Sequence, residues 1–367
     1  MRSLILLTLL PALAFAQPST GSVSGHIYLT DTQKPARFAR VVLVPLPPAL
    51  TTPPASKLTP QLYPSETLID GSFFATNIPP GDYYVSVSYP GYLTPDYQFS
   101  ADDLLQPTPD IRKRIVETLP TLTVAANKPS TISVSLRRGA AISGTLRYDD
   151  GSAVPDVEIV PLRRSPAGLW AEIPRAPSDN SMFENAGTDD LGHFRIRGLA
   201  AGEYTLKVLR GADYQMPLAV YYGDVFFEKD AKSIRLGDGE ESSGADITVR
   251  LSKLHTISGS LINVSGQPIN SGHIALFAVP GNIVVASAFV HDEDTAFNMD
   301  LVPEGHYTLR VTEARDVSRQ IVRDDKDPSQ IHDIKETVLQ TYGDYEAPLE
   351  VLSDLPSLTL TIPSKPK

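Results

Sequence analysis

The sequence predicts an all-β chain of three tandem seven-stranded β-sandwiches, Ig-like or prealbumin-like, with short helical insertions. Three observations predict it. First, "GSFFATNIPPGDYYVSV" at residues 71–87 returns as "GHFRIRGLAAGEYTLKV" at 192–208 and as "TAFNMDLVPEGHYTLRV" at 295–311. Second, each copy closes on alternation with period two: Ile132, Val134, Leu136, then Ile247, Val249, Leu251, then Leu358, Leu360, Ile362. That is the pattern of a strand with one buried face. Third, the copies start at Gly25, Gly144 and Gly259, 119 and 115 residues apart. Solenoid repeats run at roughly 20 to 50 residues, so a period this long repeats whole domains.

Each copy opens on a strand, "VSGHIYL", "ISGTLRY" or "ISGSLIN", passes a proline (Pro35, Pro155, Pro268) and enters an apolar run, "ARVVLVP", "VEIVPL" or "HIALFAVP". The repeated hairpin follows. In the second copy Phe194 and Ile196 point inward, Leu199 covers the end of the core, and Gly202 permits a positive φ at the turn. Tyr204, Leu206 and Val208 line the returning strand, and the Tyr hydroxyl can reach a backbone group near the turn. The turn and core positions are therefore Gly81 and Tyr83, Gly202 and Tyr204, Gly305 and Tyr307. In "PDIRKRIVETL" Ile111, Ile115 and Leu119 stand four apart. In "IHDIKETVLQTY" Ile331, Ile334, Val338 and Tyr342 share a helical face. Both read as short amphipathic helices lidding a sandwich before its closing strand. A proline-rich stretch between Pro45 and Pro64 reads as an extended insertion. Domains are expected at 17–136, 137–252 and 253–367, and closing strands that run almost directly into opening strands place them in semi-rigid series.

The N-terminal "MRSLILLTLLPALAFAQPST" has one Arg, a short apolar run and Ala14 and Ala16 around Phe15. That is the layout of a signal peptide, residues 1–16, too short to span a bilayer. No later segment is apolar for long enough to span one either, so an exported chain, periplasmic or extracellular, is expected. The absence of cysteine excludes disulfides, a lipid on a cysteine and thiolate metal sites. The 367 residues carry a net charge of −11, with no basic cluster to offset it, which argues against nucleic acid as a partner.

A Ser-Gly opening strand, a Pro-led second strand, then Asp, Gly, Phe, a Leu/Ile-Pro-like turn, Gly-x-Tyr and an alternating strand resemble the carboxypeptidase regulatory-like domain, in three copies over about residues 20–362. The third copy departs from it, with "HDEDTAF" lacking the hairpin Gly. The resemblance implies a prealbumin-like, carbohydrate-binding-like sandwich without catalysis, attached elsewhere to zinc peptidases, outer-membrane receptors or secreted proteins.

Chemistry is sparse. None of the seven His residues has Glu at the H-x-x-E spacing of a zinc peptidase, and no G-x-S-x-G elbow occurs. His291 with Asp294 is the nearest approach to a metal pair, and it falls in a hairpin turn. The acidic turns "YDDG", "TDDLG" and "HDED" lack the alternating acids of a calcium loop and read as self-capping turns. No cofactor and no metal are expected, and the chain reads as a non-enzyme. The best ligand-binding candidates are aromatics on irregular segments: Trp170, with Tyr221, Tyr222 and Phe226 in "VYYGDVFFEKD". They form either a stacking platform or the closure of the sandwich. The expected role is a binding or scaffold module at the cell envelope, with polysaccharide as one partner class. The alternative is an envelope protein, in adhesion or as an accessory subunit of a receptor or peptidase.

Overall fold

A computed structural model describes residues 19–46, 61–173, 187–210, 218–280, 283–291, 295–323 and 331–365. The signal peptide, most of the proline-rich insertion, the tail of the Trp170 loop and Asp294 lie outside the described residues.

The first module holds β1 (Gly21–Leu29), β2 (Arg40–Pro45), β3 (Tyr63–Glu66), β4 (Ser72–Ile78), β5 (Gly81–Ser88), α1 (Ala101–Leu105), α2 (Pro109–Thr118), β6 (Thr121–Val124) and β7 (Pro129–Leu136). Its sheets run β4-β1-β7 and β3-β2-β5-β6. The second holds β8 (Ala140–Tyr148), β9 (Glu158–Arg164), β10 (Trp170–Glu172), β11 (His193–Leu199), β12 (Gly202–Arg210), β13 (Leu218–Tyr221), β14 (Ile234–Leu236), β15 (Glu241–Ser242) and β16 (Ile247–Val249). The third holds β17 (Leu254–Asn263), β18 (Ser271–Ala278), β19 (Val284–His291), β20 (Ala296–Pro303), β21 (Gly305–Arg323), β22 (Ile331–Thr341), β23 (Tyr345–Val351) and β24 (Leu355–Ile362). The sheet pairings repeat from module to module: the opening strand lies between the repeated hairpin's first strand and a parallel closing strand. Each module buries its own apolar core between its two sheets. The architecture is all-β sandwich throughout.

A clear difference between the modules is the connection after the Tyr-bearing strand. In the first it carries the two helices. Thr108 caps α2, its hydroxyl accepting from the Ile111 amide at 3.3 Å with Pro109 in the first turn, as helix starts favour. Ile115 and Leu119 pack with Leu104 and Phe99 onto Val42, Val44 and Tyr84, so these helices do lid the sandwich. In the second module the same connection holds β13. In the third it holds β22, and here the expectation of a helix over 331–342 fails. Residues 331–341 pair antiparallel with β21, setting Val338 opposite Val317 and Ile334 opposite Ile321. Spacings of three and four fitted a helix, but the stretch is rich in β-branched residues, which favour a strand.

The repeated glycine of the opening strand answers to packing. A Cβ at Gly25, Gly144 or Gly259 would overlap the closing segment's carbonyl of Ile132, Ala245 or Leu358. It would also meet the ring of Phe73, Phe194 or Phe297 at 2.6, 3.0 or 2.8 Å. The Ser-Gly and hairpin Phe signatures are thus two halves of one contact. Gly144→Val should lower stability by about 1 to 3 kcal/mol through overpacking, read in thermal unfolding of the chain. No change would mean the closing segment can move away freely.

The turn glycine requires a correction: Gly202 does not have a positive φ. The positive φ lies four residues upstream, at Asn77 (59°), Gly198 (75°) and Leu301 (58°). There the hairpin strand bulges against the opening strand, and the register shifts as an extra residue is accommodated. At Gly202 the near neighbours of a Cβ would be Arg163 Nε at 2.9 Å, the end of a flexible side chain, and the Tyr204 ring at 3.5 Å. Backbone strain therefore predicts that Gly198→Val costs on the order of 1 to 3 kcal/mol, while Gly198→Asn, the residue type of the first copy, costs less. Gly202→Val should cost less than Gly198→Val in the same melts, and the reverse order would refute this assignment.

Candidate binding cleft between the second and third modules

The junctions come first, because they build the site. At the first, the Leu93 amide donates to Arg137 O at 2.9 Å and the Gly139 amide to Gly91 O at 3.0 Å. The Arg138 guanidinium lies over the Tyr92 ring, whose hydroxyl donates to Asp31 at 2.9 Å. At the second, Asp149 accepts from the Ser252 amide at 2.9 Å and Asp224 from the Thr248 amide at 2.7 Å. Lys253 reaches Glu304 at 2.8 Å, and its carbonyl accepts from the Glu304 amide. At the first junction the bond between Gly139 and Gly91 crosses between modules. At the second the bonds tie residues 248–253 to the module on either side, so neither junction is a loose tether.

Residues 221–232 reach across the second seam. Phe226 packs against the core of the second module and Phe227 against that of the third, with the Lys229 ammonium 5.7 Å from the Phe227 ring centre. Between the modules opens a cleft of about 970 Å³ lined by Trp170, Tyr221 and Phe226 on one side and by Ile283, Val284 and Leu301 on the other. Ile283, Val284 and Leu301 are exposed, as is Leu169 beside Trp170.

Of the four aromatics named from sequence, the structure thus brings Trp170, Tyr221 and Phe226 to one cleft. Tyr222 packs against the second module's core instead. Trp170 sits on β10 opposite Arg164, whose guanidinium lies over the indole at 5.4 Å and is held by Glu203 at 2.9 Å. A hydrogen bond from Ser233 and then the Arg164 charge hold the Glu203 carboxyl below its usual range. Tyr221 is buried, which raises its hydroxyl pKa, and the Glu228 carboxylate adds to the rise. One indole face is therefore covered by a cation and the phenol ring is largely enclosed. Sequence reasoning missed the third module's contribution. Ile283 and Val284 stand at a strand start and carry no signal of their own, and Leu301, at the hairpin position held by Asn77 in the first copy, is exposed here.

Two of the acidic segments, "YDDG" and "TDDLG", behave as turns, while His291 is the last residue of β19 and the rest of "HDED" lies outside the described residues. Asp150 accepts from the amide and hydroxyl of Ser152, at 2.9 and 2.6 Å. Asp189 accepts from the amides of Leu191 and His193, at 2.9 and 2.8 Å. These bonds hold both carboxyls below their usual range. Among the described residues no three His, Asp or Glu side chains gather as a metal site, and no helix is long and apolar enough to cross a membrane. The hairpin tyrosines make one bond three times: Tyr83, Tyr204 and Tyr307 donate to Pro79 O, Ala200 O and Pro303 O at 2.9, 2.6 and 2.6 Å.

No protein-family model matches the chain, and no curated protein matches it in sequence. Among solved structures it is similar to a Streptococcal ancillary pilin at 10% identity, covering 94% of this chain and 100% of that one with a TM-score of 0.32. It is similar to the Bacillus anthracis TIE protein at 13% identity and a TM-score of 0.22, covering 94% of this chain and 51% of that one. GBS52, the minor pilin of Streptococcus agalactiae, is similar at 12% identity and a TM-score of 0.30, covering 62% and 97%. The chain spans about half the length of the TIE protein. Superpositions at these scores carry no argument, and the sandwich architecture rests on the strand pairing described above.

Proposed function

We propose that this chain is an exported, non-catalytic scaffold of the cell envelope: three sandwiches in fixed series that present the cleft between the second and third to an apolar segment of a protein partner. The finer family reading, three carboxypeptidase regulatory-like domains, belongs to the same proposal. The observation that carries it is the exposed aliphatic wall of Ile283, Val284 and Leu301 facing Trp170 across the cleft. Exposed aliphatic surface in a concave site favours protein side chains. Sugar rings stack on open aromatic faces, and here Arg164 covers the indole while Tyr221 is buried. The glycan reading is therefore the second one, kept for Trp170's edge and the polar groups of Asn298 and Asp300 at the cleft.

The test sets both partner classes against the same variants. Envelope proteins captured by the full chain should be lost with Ile283→Asp, while a polysaccharide panel stays silent. Polysaccharide binding abolished by Trp170→Ala would overturn the protein reading. Turnover that survives repurification in a peptidase and glycosidase panel would overturn the non-catalytic one.

A further inference from the structure

The first module carries an apolar tip that its fold does not require. The Phe38 amide donates to Thr67 O at 3.1 Å and Arg37 Nε donates to Ile69 O at 3.0 Å, which joins the loop after β1 to the loop after β3. Phe38, Leu68 and Ile69 on these loops are exposed by 65%, 62% and 68%. The second module builds the same frame bond for bond. The Asp156 amide donates to Thr188 O at 3.1 Å, as Phe38 does to Thr67 O. Asp189 donates to His193 O as Leu68 does to Ser72 O, and Gly192 to Asp189 O as Gly71 does to Leu68 O. The hydroxyls of Thr67 and Thr188 donate to Ala36 O and Val154 O, both at 2.6 Å. Phe38, Leu68 and Ile69 therefore stand where the second module has Asp156, Asp189 and Asp190. Phe38 and Asp156 also share a positive φ, 58° and 55°. Aspartate tolerates that conformation, whereas a bulky ring there is uncommon and strained. Three apolar side chains, one of them on a strained backbone, thus replace three acids that the same loops accept. What they supply is contact outside their own module.

We propose, on the reading of the cleft as a protein-binding site, that this tip inserts into the cleft between the second and third modules of another copy of the chain. Shape and polarity match. The tip consists of side chains projecting from two loops at one end of a sandwich, and the cleft is a concave space of about 970 Å³ walled by the exposed Ile283, Val284 and Leu301. Charge matches as well. The two loops set Lys34, Arg37 and Arg40 against Glu66 and Asp70, with Asp31 taken up by Arg138, so the tip has positive charge in excess. At the cleft Arg164 and Lys229 are already paired, with Glu203 and Asp230. The carboxylates of Glu228 and Asp300 remain, the latter accepting from the uncharged Thr256 and Asn298, and they leave the cleft negative. Burial of the apolar side chains drives such a contact, and the opposite charges around it select the partner and its orientation. Tip and cleft stand at successive junctions of one chain, so the contact joins different surfaces of the two copies.

Sedimentation of the purified full-length chain tests this. The wild type should self-associate as its concentration rises, and less so at high salt. Phe38→Asp gives the first module the residue type that the second carries at that place, and Ile283→Asp puts a charge into the cleft wall. Each alone should weaken association about tenfold or more, with melting unchanged. An equimolar mixture of the two should form a one-to-one complex, because the cleft of the first variant and the tip of the second are both intact. A wild type that stays monomeric overturns the proposal, as does a mixture that stays monomeric or a Phe38→Asp chain that associates like the wild type. In any of those cases, capture of envelope proteins that survives Phe38→Asp and is lost with Ile283→Asp would keep the cleft as a protein site with a different occupant. A monomeric wild type that binds anionic lipid vesicles, and loses them with Phe38→Asp, would assign the tip to a membrane instead.

Discussion

Replacing Tyr204 with Ala should lower the stability of the second module by about 3 to 5 kcal/mol, because it empties an aromatic site in the core. Tyr204 is 1% exposed and packs among Ile142, Phe194, Leu206 and Leu236. Its hydroxyl donates to Ala200 O at 2.6 Å and so ties the strand back onto the turn that precedes it. Tyr204→Phe keeps the ring and removes that bond, and should cost about 1 kcal/mol. Calorimetry of the full chain reads both. The transition assigned to the second module should move down in the order wild type, Phe, Ala, with the third module unmoved. If Tyr204→Ala leaves melting intact and abolishes partner capture, the residue is a ligand contact and its assignment to the core is wrong.

Base should unfold this protein in a cooperative step beginning above pH about 10, the usual tyrosine range. Burial pushes the Tyr83 hydroxyl up to about 12, with Tyr63 adding to the rise. Burial raises Tyr204 and Tyr307 as well. Tyr84, fully buried under the helical lid, is raised by burial and then by the nearby Asp96. A folded pKa above the unfolded one means that the native state keeps its protons after the unfolded chain has begun to lose them. The contribution is therefore fully present below pH about 10 and is lost as pH climbs through the folded values. For Tyr83 alone the gap between about 10 and about 12 corresponds to about 3 kcal/mol, a large fraction of a domain's stability. Tyrosinate absorbance and far-ultraviolet circular dichroism should change together on base titration. Smooth ionisation near pH 10 with the β signal retained would show that these rings are open to solvent.

How much of this was legible depended on whether a residue's role was local. The three hairpins, their tyrosines and the closing strands were readable because alternation and turn chemistry act within a few residues. The second closing strand departs from this: it stops at Val249, and Leu251, expected to continue its buried face, is exposed in the short helical turn beyond. The helix α2 was readable for the same reason, with Thr108 and Pro109 marking its start. The stretch 331–342 misled because spacing cannot report a partner strand: Val317 and Ile321 lie outside any local window, yet they decide that it is β22. The position of the left-handed residue was missed because Asn77, Gly198 and Leu301 share no residue type, so only the bulge reveals their equivalence. In the cleft, the aromatics of "VYYGDVFFEKD" announced a cluster, but which ring faces which module is a property of the seam. Phe227, one of that aromatic cluster, is the ring that reaches the third core.

The parallel pairing of opening and closing strands fixes how these modules would bear load. Parallel neighbours begin at the same end, so the chain enters a module at one pole through β1 and leaves at the other through β7. A pull on the two termini then loads the bonds between those strands side by side, in shear, and does not peel them one at a time. The first module opposes such a pull over eight paired positions, Ser22–Leu29 against Pro129–Leu136. In the second the ladder is divided between the two positions of β15 and the three of β16. Under tension the middle module is the one that should yield first, and the seams that flank it would be the first to feel the slack.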